Sequence, residues 1–194
     1  MTVVRLFLGV ELPEGVQRAA AAAADDLRRQ VARASRTASI KWVEPANLHV
    51  TLWFLGEVHE PRMAALTAAL SAPLPRSQFA VGLGEVGAFP PAGSPRVFWI
   101  GVRTGREALI AVHGLLKDRL VKLGFEPEQR AYSPHVTLAR VKDIRRADLP
   151  AVRTILARAT AVLDDFTLGS VTLFRSRPSP RGSQYESLLR VPLS

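Results

Sequence analysis

The tetrapeptide His49-Val50-Thr51-Leu52 returns unchanged as His135-Val136-Thr137-Leu138, and two of the chain's four histidines fall in these copies. Each copy lies in an extended, apolar-rich run. Alternation along a strand sends His and Thr to one face and Val and Leu to the other. The same half-polar strand, used twice, narrows the folds open to the chain. It calls for two equivalent β units that bury their Val/Leu faces and leave their His/Thr faces open. Brought together, such strands present two imidazoles and two hydroxyls to one cleft, the equipment for acid–base chemistry on a phosphoester.

The rest of the chain supplies partners for these strands. Val3 to Glu11 reads as a strand, and Pro13 opens a helix to about Ala34, with proline in the tolerated first turn. Ser39 to Val43 and Leu48 to Leu55 read as strands, the second closed by Gly56. A helix fits Glu60 to Ala72, with Leu66 and Leu70 on one face. Strands Phe79 to Val86 and Arg96 to Val102 flank a Pro/Gly-rich loop. A third helix covers Arg106 to Leu123 and stops at Gly124. Tyr132 to Val141 is the second motif strand, and a fourth helix runs from about Asp148 to Ala159. Strands Phe166 to Arg175 and Gln184 to Val191 follow, joined by the turn-prone segment Arg177 to Gly182. The order βαββαββαβαββ, with no long linker, predicts an α+β fold: two pseudo-symmetric lobes, each an antiparallel sheet, flanking a central groove with helices on the outer faces. Residues 1–194 are expected to form a single domain of two interdependent lobes.

Composition bounds the chemistry. A hydrophobic content of 47% and a charged content of 22% are those of a globular protein. Without cysteine there are no disulfides, thiolate metal sites or Cys nucleophile. The run Met1 to Leu12 is too short and interrupted for a signal peptide, and no stretch approaches a membrane span, so a cytoplasmic protein without membrane contact is expected. The net charge of +9 suits a polyanion such as nucleic acid. Lysine occurs only at Lys41, Lys117, Lys122 and Lys142, so arginine carries nearly all of the positive charge. A GC-rich coding bias accounts for the same arginine excess.

Strict alternation groups His49, Thr51 and Trp53 on one face, with Leu48, Val50, Leu52 and Phe54 on the other. In the second copy His135, Thr137 and Ala139 oppose Val136 and Leu138, and Arg140 falls opposite His135, which suits an outward salt bridge unless a bulge or strand end turns it inward. The chain lacks a Gly-x-Ser-x-Gly elbow and a Gly-x-x-x-x-Gly-Lys-Ser/Thr loop, which leaves acyl transfer and nucleoside triphosphate hydrolysis unsupported. Threonine is a poor metal ligand, so a His/Thr pairing does not point to a metal centre. A paired base and acid, with hydroxyl and Arg donors on the phosphoryl oxygens, can open an activated phosphodiester without metal or other cofactor. A strained 2′,3′-cyclic phosphate is such a substrate.

The segments Trp42-Val43-x-x-x-Asn47-Leu48-His49-Val50-Thr51-Leu52-Trp53-Phe54-Leu55-Gly56 and Tyr132-Ser133-Pro134-His135-Val136-Thr137-Leu138-Ala139-Arg140 resemble the 2H phosphoesterase superfamily. Within it the resemblance is closest to the RNA 2′,3′-cyclic phosphodiesterases, also called 2′-5′ RNA ligases, and it extends to the Arg5-Leu6-Phe7-Leu8-Gly9-Val10 and Tyr185 strands. The resemblance implies a bilobal LigT-like fold and metal-free hydrolysis of a 2′,3′-cyclic phosphate to a 2′-phosphate. It makes His49 the proton donor to the departing 3′ oxygen and His135 the base that activates water. Thr51 and Thr137 would bind the phosphate oxygens, with Arg140 adding charge and Arg130 a weaker candidate. Phe54 is either a base-stacking aromatic or, by alternation, a core residue, and Trp42 and Trp53 carry the same ambiguity. His59 and His113 are expected to be structural or solvent-facing.

Other readings stay open at this level. The substrate could be a small cyclic phosphate such as ADP-ribose cyclic phosphate, or a 2′-5′ oligonucleotide. ATP-independent joining through a 2′-5′ bond is the reverse reaction. A non-catalytic module that grips RNA ends is a different class. The expected partner is RNA ending in a 2′,3′-cyclic phosphate or a small cyclic nucleotide, bound by a monomer.

Overall fold

The computed structural model describes residues 3–179 and 182–194. Among these, nine strands and four α-helices follow the order β1 (Val3–Glu11), α1 (Glu14–Ala34), β2 (Ser39–Trp42), β3 (His49–His59), α2 (Met63–Ser71), β4 (Phe79–Phe89), β5 (Val97–Thr104), α3 (Arg106–Val121), β6 (His135–Asp143), α4 (Leu149–Arg158), β7 (Phe166–Leu168), β8 (Ser170–Ser179) and β9 (Gly182–Pro192). The expected element order holds with one addition. The run Phe166 to Arg175 breaks at Gly169 into β7 and β8, which join different halves of the sheet. The first motif strand also runs past Gly56, where a positive φ of 71° is absorbed within the strand instead of ending it. Of the expected turn Arg177 to Gly182, Pro180 and Arg181 lie outside the described residues.

The fold is α+β, a curled antiparallel sheet in the order β7-β4-β5-β6-β3-β1-β8-β9, with β2 added on β6. It divides into halves of four strands, β3-β1-β8-β9 and β6-β5-β4-β7. They meet through β3 and β6, whose register pairs Val50 with Val136. Antiparallel pairing about that rung creates a local two-fold, so each histidine lies toward the other copy's threonine. The rung itself is fully buried on the core side.

Helices cover the face away from the motif side chains. α1 packs against α4 and reaches β6, while α3 packs against α2 and β3. Each long helix therefore follows a strand of one half and covers a motif strand of the other. Leu66 and Leu70 of α2 are both buried, as their spacing implies. Val16, Ala20, Ala24, Leu27 and Val31 form the buried stripe of α1 at helical spacing.

Each motif strand carries a bulge at the same place. Gly9 pairs with Thr51 and Leu8 with Trp53, leaving Leu52 without an opposite number on β1. On β6, Trp99 pairs with Thr137 and Phe98 with Ala139, so Leu138 is the extra residue. An extra residue reverses the alternation beyond it. Trp53 is thereby turned into the core at 5% exposure, and Phe54 stands 54% exposed. Arg140 is turned the same way and is exposed. Strict alternation, which grouped Trp53 with His49 and Ala139 with His135 and set Phe54 and Arg140 opposite the histidines, is corrected on all four.

Candidate active site

Both histidines are held by the same device. His49 Nδ1 lies 2.7 Å from the carbonyl oxygen of Asn47, and His135 Nδ1 lies 2.7 Å from that of Ser133, in each case two residues back. A carbonyl can only accept, so each Nδ1 carries the hydrogen, and Nε2 is the atom that gains or loses a proton. Asn47 is itself tied down, its Nδ2 donating to the Ser183 carbonyl on β9 at 2.5 Å. The Thr51 hydroxyl meets His49 Nε2 at 2.9 Å. Among the described residues no matching bond joins His135 to Thr137.

The rings around the two imidazoles differ. His49 has Phe7 at 4.8 Å between centroids, Tyr185 edge-on at 5.3 Å and Phe174 at 6.2 Å. Beneath it a Cβ on Gly9 would come within 3.3 Å of the imidazole Cδ2 and 3.0 Å of the Val50 carbonyl, so the close fit of β1 under the ring needs glycine. Phe54 extends this wall, 6.2 Å from Phe7. His135 has Phe89 edge-on at 5.1 Å and Trp99 at 6.5 Å. Burial lowers the pKa of both histidines below the ordinary value, against the opposing pull of the carbonyl bonds. The charge of His135 lowers His49 further, and Arg140 lowers both. Arg140 also opposes the burial-driven rise at Tyr185. Its field therefore reaches both imidazoles and the tyrosine between the aromatic rings.

Behind the groove, His113 of α3 is stacked between Trp53 and Tyr132, with centroids at 5.2 and 4.3 Å. Tyr132 Oη donates to the Thr51 carbonyl at 2.9 Å. One stack thus joins α3, the first motif strand and the approach to the second, which agrees with a structural His113. His59 is exposed at the end of β3, and Trp42 packs toward Phe98 on the core side. Arg130 is exposed ahead of β6, with no bond or ring contact to either histidine among the described residues.

The structure brings His49, His135, Thr51, Thr137, Arg140 and Phe54 to one side of the sheet. Phe7, Phe174, Tyr185, Phe89 and Trp99 join them unanticipated, as does Asn47 through its backbone and amide. Part of this had a signal in the sequence: Phe7-Leu8-Gly9 and Trp99-Ile100-Gly101 share an aromatic-aliphatic-glycine pattern, and each flanks a motif strand. Among the described residues no three His, Cys, Asp or Glu side chains converge as metal ligands would. No helix among them is long and apolar enough to cross a membrane.

Residues 7–179 match the family model of the 2′-5′ RNA ligase superfamily. The chain is 37% identical over 153 residues to a protein of Aeropyrum pernix named RNA 2′,3′-cyclic phosphodiesterase, covering 78% of this chain and 85% of that one. A protein of the same name from Archaeoglobus fulgidus is 34% identical over 187 residues, covering 95% and 97%. Among solved structures, TT0787 of Thermus thermophilus superposes with a TM-score of 0.77 at 27% identity, covering 97% of each chain. E. coli LigT in its apo form shares the fold, with a TM-score of 0.74 at 23% identity over 100% of this chain and 99% of LigT. With two bulged His-x-Thr strands meeting across a local two-fold, and with these relatives, the chain belongs to the 2′-5′ RNA ligase superfamily of 2H phosphoesterases.

Proposed function

We propose that the protein is an RNA 2′,3′-cyclic phosphodiesterase that opens a terminal 2′,3′-cyclic phosphate to a 2′-phosphate by metal-independent acid–base catalysis with two histidines. The observation that carries this reading is the matched tethering of His49 and His135. Both Nδ1 atoms are fixed on backbone carbonyls, which leaves two proton-exchanging Nε2 atoms on facing strands. The names of the A. pernix and A. fulgidus relatives support the substrate class.

The chemistry follows from that arrangement. Neutral His135 Nε2 takes a proton from water as its oxygen bonds to phosphorus. The bond to the 3′ oxygen breaks, and that oxygen takes the proton of His49 Nε2. The products are a 2′-phosphate and a free 3′-hydroxyl, with the two histidines left in exchanged protonation states. Burial keeps His135 neutral and available as a base. The same burial opposes protonation of His49, and the negative charge of a bound phosphate restores it. Thr51, Thr137 and Arg140 donate to the non-bridging oxygens, where charge accumulates in the transition state. With a 5′-hydroxyl in place of water, the same displacement joins RNA ends through a 2′-5′ bond without ATP. We place this activity in a single two-lobed domain acting as a cytoplasmic monomer.

A second reading within the superfamily is a small cyclic phosphate. The exposed ring of Phe54 favours it, since one such ring offers a stacking surface for one nucleoside. The test is incubation in EDTA with RNA ending in a 2′,3′-cyclic phosphate, the product end being typed against 2′- and 3′-phosphate standards. A 2′-phosphate that disappears in both His49→Ala and His135→Ala is expected. A 3′-phosphate would reverse the bond assigned as broken. Bound but unchanged RNA would leave the small substrate or a binding role.

A further inference from the structure

The groove has an aromatic end and a cationic end. Along the first motif segment Phe54 stands beyond Thr51, while β2 lies on the other side of His49 and pairs with the second half of β6. There Lys41 is directly opposite Arg140, between the rungs Ile40–Val141 and Trp42–Ala139. Val141 and Ala139 are buried, and Ile40 and Trp42 pack against the core. Alternation therefore puts Lys41 on the same face as Arg140, and it is exposed. Like charges directly opposite on a sheet destabilise it. Neither cation has an ion-pair partner among the described residues. The next rung on that face pairs Ser39 with Asp143, and no ion pair forms between Asp143 and either cation. Two adjacent, uncompensated cations that weaken the sheet fit an anionic ligand that neutralises them together.

Building on the reading of the site as an RNA-end phosphodiesterase, we propose that Lys41 forms a second phosphate subsite, binding the phosphodiester on the 5′ side of the terminal nucleotide while Arg140 binds the reacting phosphate. The RNA strand then leaves the groove over β2, at the end away from Phe54. Lys41 separates an oligonucleotide from a mononucleotide, because only the former carries the second phosphate.

The experiment compares wild type, Lys41→Gln, Lys41→Arg and Lys122→Gln on an RNA tetramer and a mononucleoside, each ending in a 2′,3′-cyclic phosphate, across a salt series. Lys122, just past α3, removes the same charge from elsewhere on the surface. Lys41→Gln is expected to lower kcat/KM several-fold for the tetramer and by less than twofold for the mononucleoside. It should also make the log–log salt dependence shallower by about 0.7, the value for one single-strand phosphate contact. Lys41→Arg should restore both, and Lys122→Gln should leave the slope alone. Equal losses on the two substrates, or none on either, would overturn the subsite. If wild type turns over neither substrate, the proposed reaction fails, and the salt slope of equilibrium tetramer binding by wild type and Lys41→Gln decides the subsite separately. An unchanged slope there overturns it.

Discussion

The two halves of the sheet are copies in backbone and in their His-x-Thr side chains, and strangers in what surrounds them. Each has a histidine tethered two residues back, a threonine two residues on and a bulge at the following leucine. Five residues past each histidine, the bulge turns a side chain outward. In one half that residue is Phe54, in the other Arg140. The His49 half encloses its imidazole in Phe7, Phe174 and Tyr185, and its Thr51 bonds the ring. The His135 half is the more open, with Phe89 and Trp99 for neighbours. A symmetric pair of histidines cannot by itself orient a substrate. An exposed aromatic at one end, Phe54, and a cation at the other, Arg140, can, since a nucleoside and a phosphate are bound by different forces.

The largest test of this contrast is the histidine pair. Alanine at either position should cost ~10²–10⁴-fold in rate. With an activated aryl leaving group His49→Ala should recover much of its loss, while His135→Ala should not, because only the acid becomes dispensable. The opposite pattern would exchange the roles of the halves. Arg140→Ala should cost ~10²-fold in kcat, as for removal of one transition-state donor. Its positive charge lowers both histidines, so its loss raises their pKa values. The acidic limb of kcat/KM should then move to higher pH, a shift that loss of packing alone would not produce.

Phe54→Ala should act on the other side of the comparison, raising KM about tenfold with little change in kcat if it stacks a base worth ~1–3 kcal/mol. A fall in kcat with unchanged KM would remove it from substrate binding. Stability should follow pH through the features the halves share. His49, His135 and His113 all lie below the ordinary histidine value, chiefly by burial. The unfolded chain therefore binds protons first, so stability is full above about pH 6.5 and declines as pH falls toward the folded values. Urea midpoints measured across that window check the sign. The smallest effect concerns the tie between halves: Tyr132→Phe leaves the Thr51 carbonyl without its donor and should cost ~1 kcal/mol in the same assay.

The sequence carried the α+β class, the element order and the paired histidines, because all rest on short-range patterns. Period-2 and period-3.6 spacing and the duplicated motif are readable within a few residues. It did not carry the positions of Phe54, Trp53 and Arg140. A bulge forms only when a flanking strand fixes a register, and β1 and β5 lie far from β3 and β6 in the chain. The equal offset of Phe54 and Arg140 from their histidines was visible, but alternation alone assigned both to the wrong face. The aromatic enclosure of His49 was equally hidden, since Phe7, Phe174 and Tyr185 come from three strands that meet only in the folded sheet.

By itself, then, the sequence determined what the candidate site is made of: two imidazoles on two strands whose polar faces had to remain open. Tertiary structure alone decided that the strands meet at Val50 and Val136, that bulges turn an aromatic out at one end and a cation at the other, and that Lys41 stands beside Arg140. The physical reason is range. Local alternation sets what a strand offers to each face, whereas register between distant strands sets which offers meet.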